Sequence, residues 1–307
     1  MKKFLLAIGC CLLIAVSAFA QKPKQDNKPE VGKWSVGVSF NVLSIGKAVS
    51  QPADNTGVAD FVSSNSAFVS EQMNIITKDP LAKINFKYLA KEHFALRIGV
   101  GVSGSKIDYR EYVTDDLAKF NEPLSEKVVF DTVHGNLTTF SASLGGECRM
   151  GKQNVQFIIG FGLNYVIGGG RATLDYGNVL NVANPKPSTV GIADVNGALN
   201  TYKGTHLGIS WARPVERYTQ GHTQAISFCF DMGIEWFFIK NASLQASLGI
   251  VPVSVAFQPQ SWAKYEGLSE ISNKVETYVD LVSPGSTAIL YGTNNLSLNF
   301  GLNYYFK

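Results

Sequence analysis

Phe94-Ala95-Leu96-Arg97-Ile98-Gly99-Val100-Gly101-Val102-Ser103 puts a bulky apolar side chain at every even position up to Val102 and Ala, Arg, Gly or Ser at every odd one. A period of two is the signature of a β-strand with two unlike faces. The same alternation runs through Val155 to Ile167, Ile226 to Phe238 and Leu296 to Phe306, which span 13, 13 and 11 residues. Globular strands usually have about five or six. Weaker runs occur at Trp34 to Val42, Ile84 to Tyr88, Phe140 to Met150 and Leu244 to Ile250. In the last of these the phase slips at Val251-Pro252, where a proline that cannot donate to a ladder predicts a bulge. Eight strands result.

The connections are of two kinds. Lys91-Glu92-His93, Gly151-Lys152-Gln153-Asn154 and Lys240-Asn241 are tight turns, whereas 45–80, 105–137, 168–222 and 258–293 are long, polar segments. Their strict alternation predicts an up-and-down antiparallel sheet with the long loops at one end and both termini at the other. A ten-stranded sheet is the alternative, should His206 to Trp211 pair with a neighbouring run. The stretch Glu266 to Leu281 spaces Leu268, Ile271, Val275 and Val279 as a short helix would.

The small-residue side decides the surroundings of each face. It reads Ser35, Gly37, Ser39, Gly99, Gly101, Gly160, Gly162, Asn164, Ser227, Gly233, Asn299, Gly301 and Asn303. A water-facing surface would carry Lys and Glu, so these residues fit a cramped interior and the bulky face must look outward. Outward apolar strands with no unsatisfied backbone describe a closed transmembrane barrel. Aromatics gather at the short-turn end as Trp34, Tyr88, Phe94, Phe157, Trp236, Phe238, Tyr304 and Phe306, the composition of an interfacial girdle on the periplasmic side.

The composition agrees. With 45% hydrophobic and 17% charged residues the chain is too apolar to stay disordered. Lys2 and Lys3, the apolar run Phe4 to Val16 and Ala18-Phe19-Ala20 read as a secretory signal peptide, residues 1–20. Cleavage before Cys10 instead, as in a lipoprotein, would leave too short an apolar core. Without Lys2 and Lys3 the chain carries 25 basic against 24 acidic side chains, so no electrostatic footprint for nucleic acid exists. Residues 21–31 read as a short periplasmic segment and 32–307 as the barrel domain. Cys148 and Cys229 fall on opposite faces of non-neighbouring strands, where no disulfide can form.

The signal peptide, the alternation of tight turns with long loops and the closing strand Asn294 to Phe306 resemble small bacterial outer-membrane barrels of the OmpA, OmpX and PorT-like kind, over about 32 to 306. The resemblance implies a place in the cell outer membrane, with outer-membrane lipid around the strands and barrel-assembly machinery reading the last one. It departs from the pattern at Lys307, which makes the terminal aromatic penultimate. It also implies extracellular loops that serve binding, adhesion, envelope structure or an accessory role to another envelope complex, with an extracellular or envelope protein as their ligand.

Eight strands leave an interior that side chains fill. Lys87, Arg97, Glu147 and Glu235 point inward within a few residues of the short-turn end, so two positive and two negative charges should pair as an ionic plug, with Asp231 above and Arg149 near the mouth. In the OmpA-like barrels that this chain resembles, lumen ion pairs are held to block conduction, which makes a narrow gated channel one alternative function. The other is a lipid A-modifying enzyme, because His134, His206 and His222 lie on the long-loop side and Ser210, Ser227 and Glu216 could serve His222. No spacing ties a nucleophile to a base there, and no His or Cys pair has metal-ligand spacing. His93 sits in a tight turn. Gly168-Gly169-Gly170 lacks a following helix and a P-loop lysine, so it reads as a loop exit. No catalysis, cofactor or metal is expected. The long loops do carry aromatic surface, including Tyr109, Tyr112, Tyr176, Trp211, Tyr218, Trp262, Tyr265 and Tyr278, enough to meet a partner.

Overall fold

The computed structural model describes residues 29–41, 82–151, 154–189, 202–292 and 296–306. The signal peptide, most of the segment 21–31 and the first long loop lie outside the described residues.

The chain is all-β. Its strands are β1 (Trp34–Asn41), β2 (Ala82–Lys91), β3 (Phe94–Thr114), β4 (Val128–Met150), β5 (Val155–Asp175), β6 (Ile209–Thr219), β7 (Thr223–Ile239), β8 (Ala242–Gln258), β9 (Ser261–Ser269), β10 (Val275–Ser283), β11 (Ser286–Tyr291) and β12 (Leu296–Phe306). Two short helices, α1 (Asp116–Asn121) and α2 (Tyr202–His206), sit in the connections. Every pairing is antiparallel. β1 to β5 pair in sequence, then β5 pairs with β7, β7 with β8, β8 with β12, and β12 returns to β1. The circuit is therefore closed, with Trp34 opposite both Tyr88 and Phe306.

Twelve strands in the described residues replace the eight expected, and the difference lies in the supposed loops. β3 and β4 continue past the apolar run as a pairing from Ser103↔Thr139 to Thr114↔Val128. β5 runs on through Gly168-Gly169-Gly170 to Asp175, so that triplet is strand and not a loop exit. β6, β9 and β10 extend the upper end of β5 as a flap, through Arg171↔Tyr218 and Arg217↔Ala263↔Asp280. Of the run His206 to Trp211, the part from Ile209 does pair, with β9 at Ile209↔Ser269. The stretch Glu266 to Leu281 is not a helix but the end of β9, a turn and β10, with Asn273 at φ 53° in the turn and Ser269 N–H bonded to Lys274 O at 3.0 Å. In β9 buried and half-buried residues alternate strictly, but the buried side is Ser261, Ala263, Tyr265, Gly267 and Ser269, too small and polar for the period to show in hydropathy.

The slip at Val251-Pro252 is visible as a register shift between Phe228↔Val253 and Phe230↔Ile250. At that level β8 changes partner on its other side, from β12 below to β11 above. Gly292 N–H, at φ 146°, bonds to Pro252 O at 3.0 Å across the change.

Inside the circuit, Leu89, Ala95, Phe237 and Tyr305 form an apolar layer at the turn end, and Val166, Ala225 and Ala256 form a small apolar cluster higher up on the neighbouring strands β5, β7 and β8. Cys148 is exposed on β4 and Cys229 half-buried on β7, and no disulfide joins them. Small residues are needed where the β4 and β5 backbones leave no room for a Cβ. Gly145 faces Gly162, a Cβ on Gly162 would stand 2.6 Å from Leu144 O, and one on Gly145 would strike Phe161 O. Gly162→Ala is therefore expected to cost about 1–3 kcal/mol, because backbone and not a flexible tip must yield. Urea titration of the refolded chain in detergent micelles reads that loss.

Candidate functional site

Inward positions near the tight turns bring charges from several strands together. Arg149, 2% exposed on β4, donates from Nη1 to Glu147 Oε1 at 2.8 Å and from Nη2 to Glu235 Oε2 at 2.6 Å. Lys87 on β2 stands 3.3 Å from Glu147 and 3.5 Å from Glu235. Both glutamates are fully buried. Two cations and two anions thus balance in one layer.

The expected grouping is corrected in one respect. Arg149 occupies the centre of the layer and not the mouth, while Arg97 lies one level up and pairs with Asp231, its Nη1 donating to Asp231 Oδ2 at 2.8 Å. The register explains this: Asp231 lies opposite Gly160, where a Cβ would come within 2.7 Å of both the carboxylate and Arg97 Nη1. Lacking a side chain there, β5 leaves room for the pair.

Polar neighbours complete the layer. Arg149 Nε donates to Gln156 at 2.7 Å, Lys87 to Gln245 at 2.7 Å, and Glu235 accepts from Asn303 at 3.1 Å, from Tyr305 OH at 2.8 Å and from Ser243. Asn303 was read from the sequence only as a small inward residue, and Gln156, Gln245, Ser243 and Tyr305 were not singled out. For Gln156 and Gln245 the signal existed, since both lie opposite Glu235 in the register. Beneath them the rings of Phe237 and Tyr305 lie 5.5 Å apart, with the Arg149 guanidinium 5.7 and 5.9 Å from their centres. Above the layer is a cavity of about 110 Å³, whose lining includes Asn85, Arg97, Asn164, Asp231 and Asn299. At about 30 Å³ per molecule it holds a few waters.

The outward face is the second part of the site. Trp34, Phe157, Trp236, Phe238, Tyr304 and Phe306 are 36–56% exposed, with Tyr88 and Phe94 half-buried, and all eight sit near the tight turns. Trp34 packs on Tyr88 at 4.8 Å and Trp236 on Phe238 at 6.0 Å. Going up β3, β4, β5 and β7, the outward residues stay apolar to Val102, Phe140, Ile167 and Ile226, and the first three are paired neighbours. Beyond that level come Lys106, Asn136, Arg171 and Gln224. On β5 the apolar outward run Phe157 to Ile167 rises about 25 Å, at about 3.4 Å per residue and a tilt of about 40°.

The polar level has its own pairing. His134 Nδ1 lies 2.6 Å from Asp108 and Nε2 3.4 Å from Asp175, and Arg171 bonds Glu216 at 2.7 Å. The His134 hydrogen bond holds the Asp108 carboxyl below its usual value. A carboxyl depressed in the folded state stabilises above its unfolded pKa near 4 and loses that contribution as pH falls through the folded one. Replacing His134 by Ala should therefore flatten the acid limb of stability below about pH 4, read by urea midpoints. Glu216 being held by Arg171 and Ser227 by Ser254 at 2.9 Å, neither is bonded to His222. His93 Nδ1 lies 3.1 Å from Arg149 O in its turn.

No protein-family model matches the chain, and no curated protein matches it. Among solved structures it is similar to the outer membrane protein OprG from Pseudomonas aeruginosa at 10% identity and TM-score 0.30, over 91% of this chain and 99% of that one. It is also similar to Ail, the attachment invasion locus protein of Yersinia pestis, at 9% identity and TM-score 0.31 over 90% and 100%. A major outer membrane protein from Thermus thermophilus gives 13% identity and TM-score 0.33 over 90% and 100%.

Proposed function

We propose that the chain is a bacterial outer-membrane β-barrel of eight membrane-crossing strands, without catalysis, whose lumen is closed by the Lys87, Glu147, Arg149 and Glu235 layer. Its four outward connections, with the flap of β6, β9 and β10, are the part that binds. The observation that carries this reading is the common level at which outward side chains change from apolar to polar on β3, β4 and β5. Apolar side chains so exposed, contiguous around a circuit without an edge, suit acyl chains and not water. The aromatics at the tight turns then lie at the periplasmic interface. Under this reading the last strand is what the barrel-assembly machinery recognises.

A second reading, a narrow gated channel, draws on the cavity directly above the charged layer, which together with the Phe237 and Tyr305 rings beneath it stands between that cavity and the turn-end mouth. The two give different results in planar bilayers. A closed structural barrel stays non-conducting when Glu235 is replaced by Ala, whereas a gate shows a conductance step in that variant. Location is tested on membrane fractions, where the unboiled chain should run faster on gels than the boiled one and protease added to intact cells should cut only in the long connections. Cleavage at Lys91–His93 or Lys240-Asn241 in intact cells would reverse the orientation.

A further inference from the structure

Two parts of the sheet meet along a line of broken strands. Outward from β5 the order is β7, β8, β11 below that line and β6, β9, β10 above it. Each lower strand joins the upper strand in the same place through two or three residues: Gln220-Gly221-His222, Pro259-Gln260 and Pro284-Gly285. Every crossing thus holds a glycine or a proline. Gly221 and Gly285 sit at φ 104° and 90°, where a side chain would be strained, and neither proline can donate to a ladder. The crossings also lie side by side, since Gln220 N–H bonds to Gln260 O at 2.8 Å and a Cβ on Gly221 would meet Pro259. β5 passes the line unbroken, and there it carries Gly168-Gly169-Gly170. Its pairing with β7 stops at Gly168↔Thr223 and its pairing with β6 starts at Arg171↔Tyr218.

Above the line, β6, β9 and β10 form a body with its own core of Ile209, Ala212, Ala263, Tyr265 and Tyr278, against which Leu207 and Val282 pack. Three register pairs, from Arg171↔Tyr218 to Thr173↔Glu216, join that body to β5. Arg171 bonds Glu216 at 2.7 Å, the Tyr176 hydroxyl donates to Pro214 O, and Arg213 donates to Asn178 O at 2.9 Å. Asn178 in turn donates to Thr114 O at 2.8 Å, so these bonds end on the β3–β5 side. Arg217 opposes them. It lies opposite Ala172 of β5 and is 8% exposed, and its buried Nε and Nη1 make no hydrogen bond among the described residues. Burial holds its guanidinium below the usual pKa. A buried donor without an acceptor destabilises the state that buries it, and water satisfies it once β6 leaves β5.

We infer that β6, β9 and β10 swing as one body about the line 220–222, 259–260 and 284–285, parting β6 from β5 while the circuit below stays closed. The Tyr176 and Arg213 bonds favour the docked position. The unpaired Arg217 donors favour the open one, in which Ala172, Tyr176 and Arg217 meet solvent. The motion gives the outward connections a moving part, and it does not require that the circuit lie in lipid.

Amide hydrogen exchange of the full refolded chain in detergent micelles, read peptide by peptide by mass spectrometry, tests this. Peptides from 209–219, 261–269 and 275–283 should share one protection, at least about tenfold lower than that of 223–239 and 242–258. Arg217→Met should slow all three about tenfold, because the docked state no longer buries an unpaired charge. Tyr176→Phe should speed all three at least about threefold, and neither variant should alter 223–258. Heat-modifiable gel mobility verifies that both variants fold, and the comparison among strands of the unaltered chain stands even where a variant does not. Protection of β6, β9 and β10 equal to that of β7 and β8, or unrelated rates among the three strands, overturns the inference. So does unchanged exchange in folded Arg217→Met or folded Tyr176→Phe. None of these results touches gel mobility or location, so the membrane reading fails or stands separately.

Discussion

Replacing Arg149 by Met should lower the unfolding free energy by about 3–5 kcal/mol, the loss expected when a buried charge pair is broken from one side. Among the described residues the arginine is the only cation that reaches both glutamates within 3 Å, and it also holds Gln156. Without it, two fully buried carboxylates share Lys87 at 3.3 and 3.5 Å. The midpoint of urea unfolding in micelles, followed by the folded band on unboiled gels, gives the loss. Arg149→Met combined with Glu235→Gln restores the charge balance with Lys87 and Glu147 still paired, so the double variant should regain at least half of it. A single variant that loses under about 1 kcal/mol would mean that water already screens the layer.

Leu163→Arg should cost about 2–4 kcal/mol in phospholipid vesicles, because Leu163 is 56% exposed at mid-height of the outward run on β5. The expectation for a water-soluble sheet is the opposite: an exposed leucine replaced by a charge shifts stability by only about 0.5 kcal/mol either way. Asn136→Arg, on β4 two levels above the last apolar outward residue, serves as the control and should cost about 0–1 kcal/mol. Equal effects at the two positions would sink the claim that Leu163 faces acyl chains. Folding efficiency into vesicles as a function of urea measures both.

Legibility in the sequence depended on contrast between faces. Phe94 to Val102 alternates against Ala, Arg and Gly, so strand, parity and turn are all legible there. Parity alone also placed Lys87, Glu147 and Glu235 inside near one level. It could not decide between Arg97 and Arg149 as the central cation, because that depends on side-chain reach and on the room left by Gly160 across the interior. Above Val102 the same strand continues, but its outer face turns to Lys106, Asp108 and Arg110, and a strand polar outside with a mixed interior reads as loop. β9 was hidden for a different reason. Its buried face carries Ser261, Gly267 and Ser269 beside Ala263 and Tyr265, and its half-buried face carries Trp262 and Leu268 beside Lys264 and Glu266, so neither face reads as apolar.

The pairing of Trp34 with Phe306 carries a consequence for how the molecule is made. The first strand finds its second neighbour only in the last one, so closure must wait until the whole polypeptide has been delivered. Contacts between such distant positions are slow to form, and until then two ribbon edges stay open to pairing with other chains. Holding the nascent polymer apart from its own kind before closure is therefore as much a requirement of this architecture as any contact within the finished ring, and truncation before Leu296 should yield aggregates where a single internal substitution yields only a weakened product.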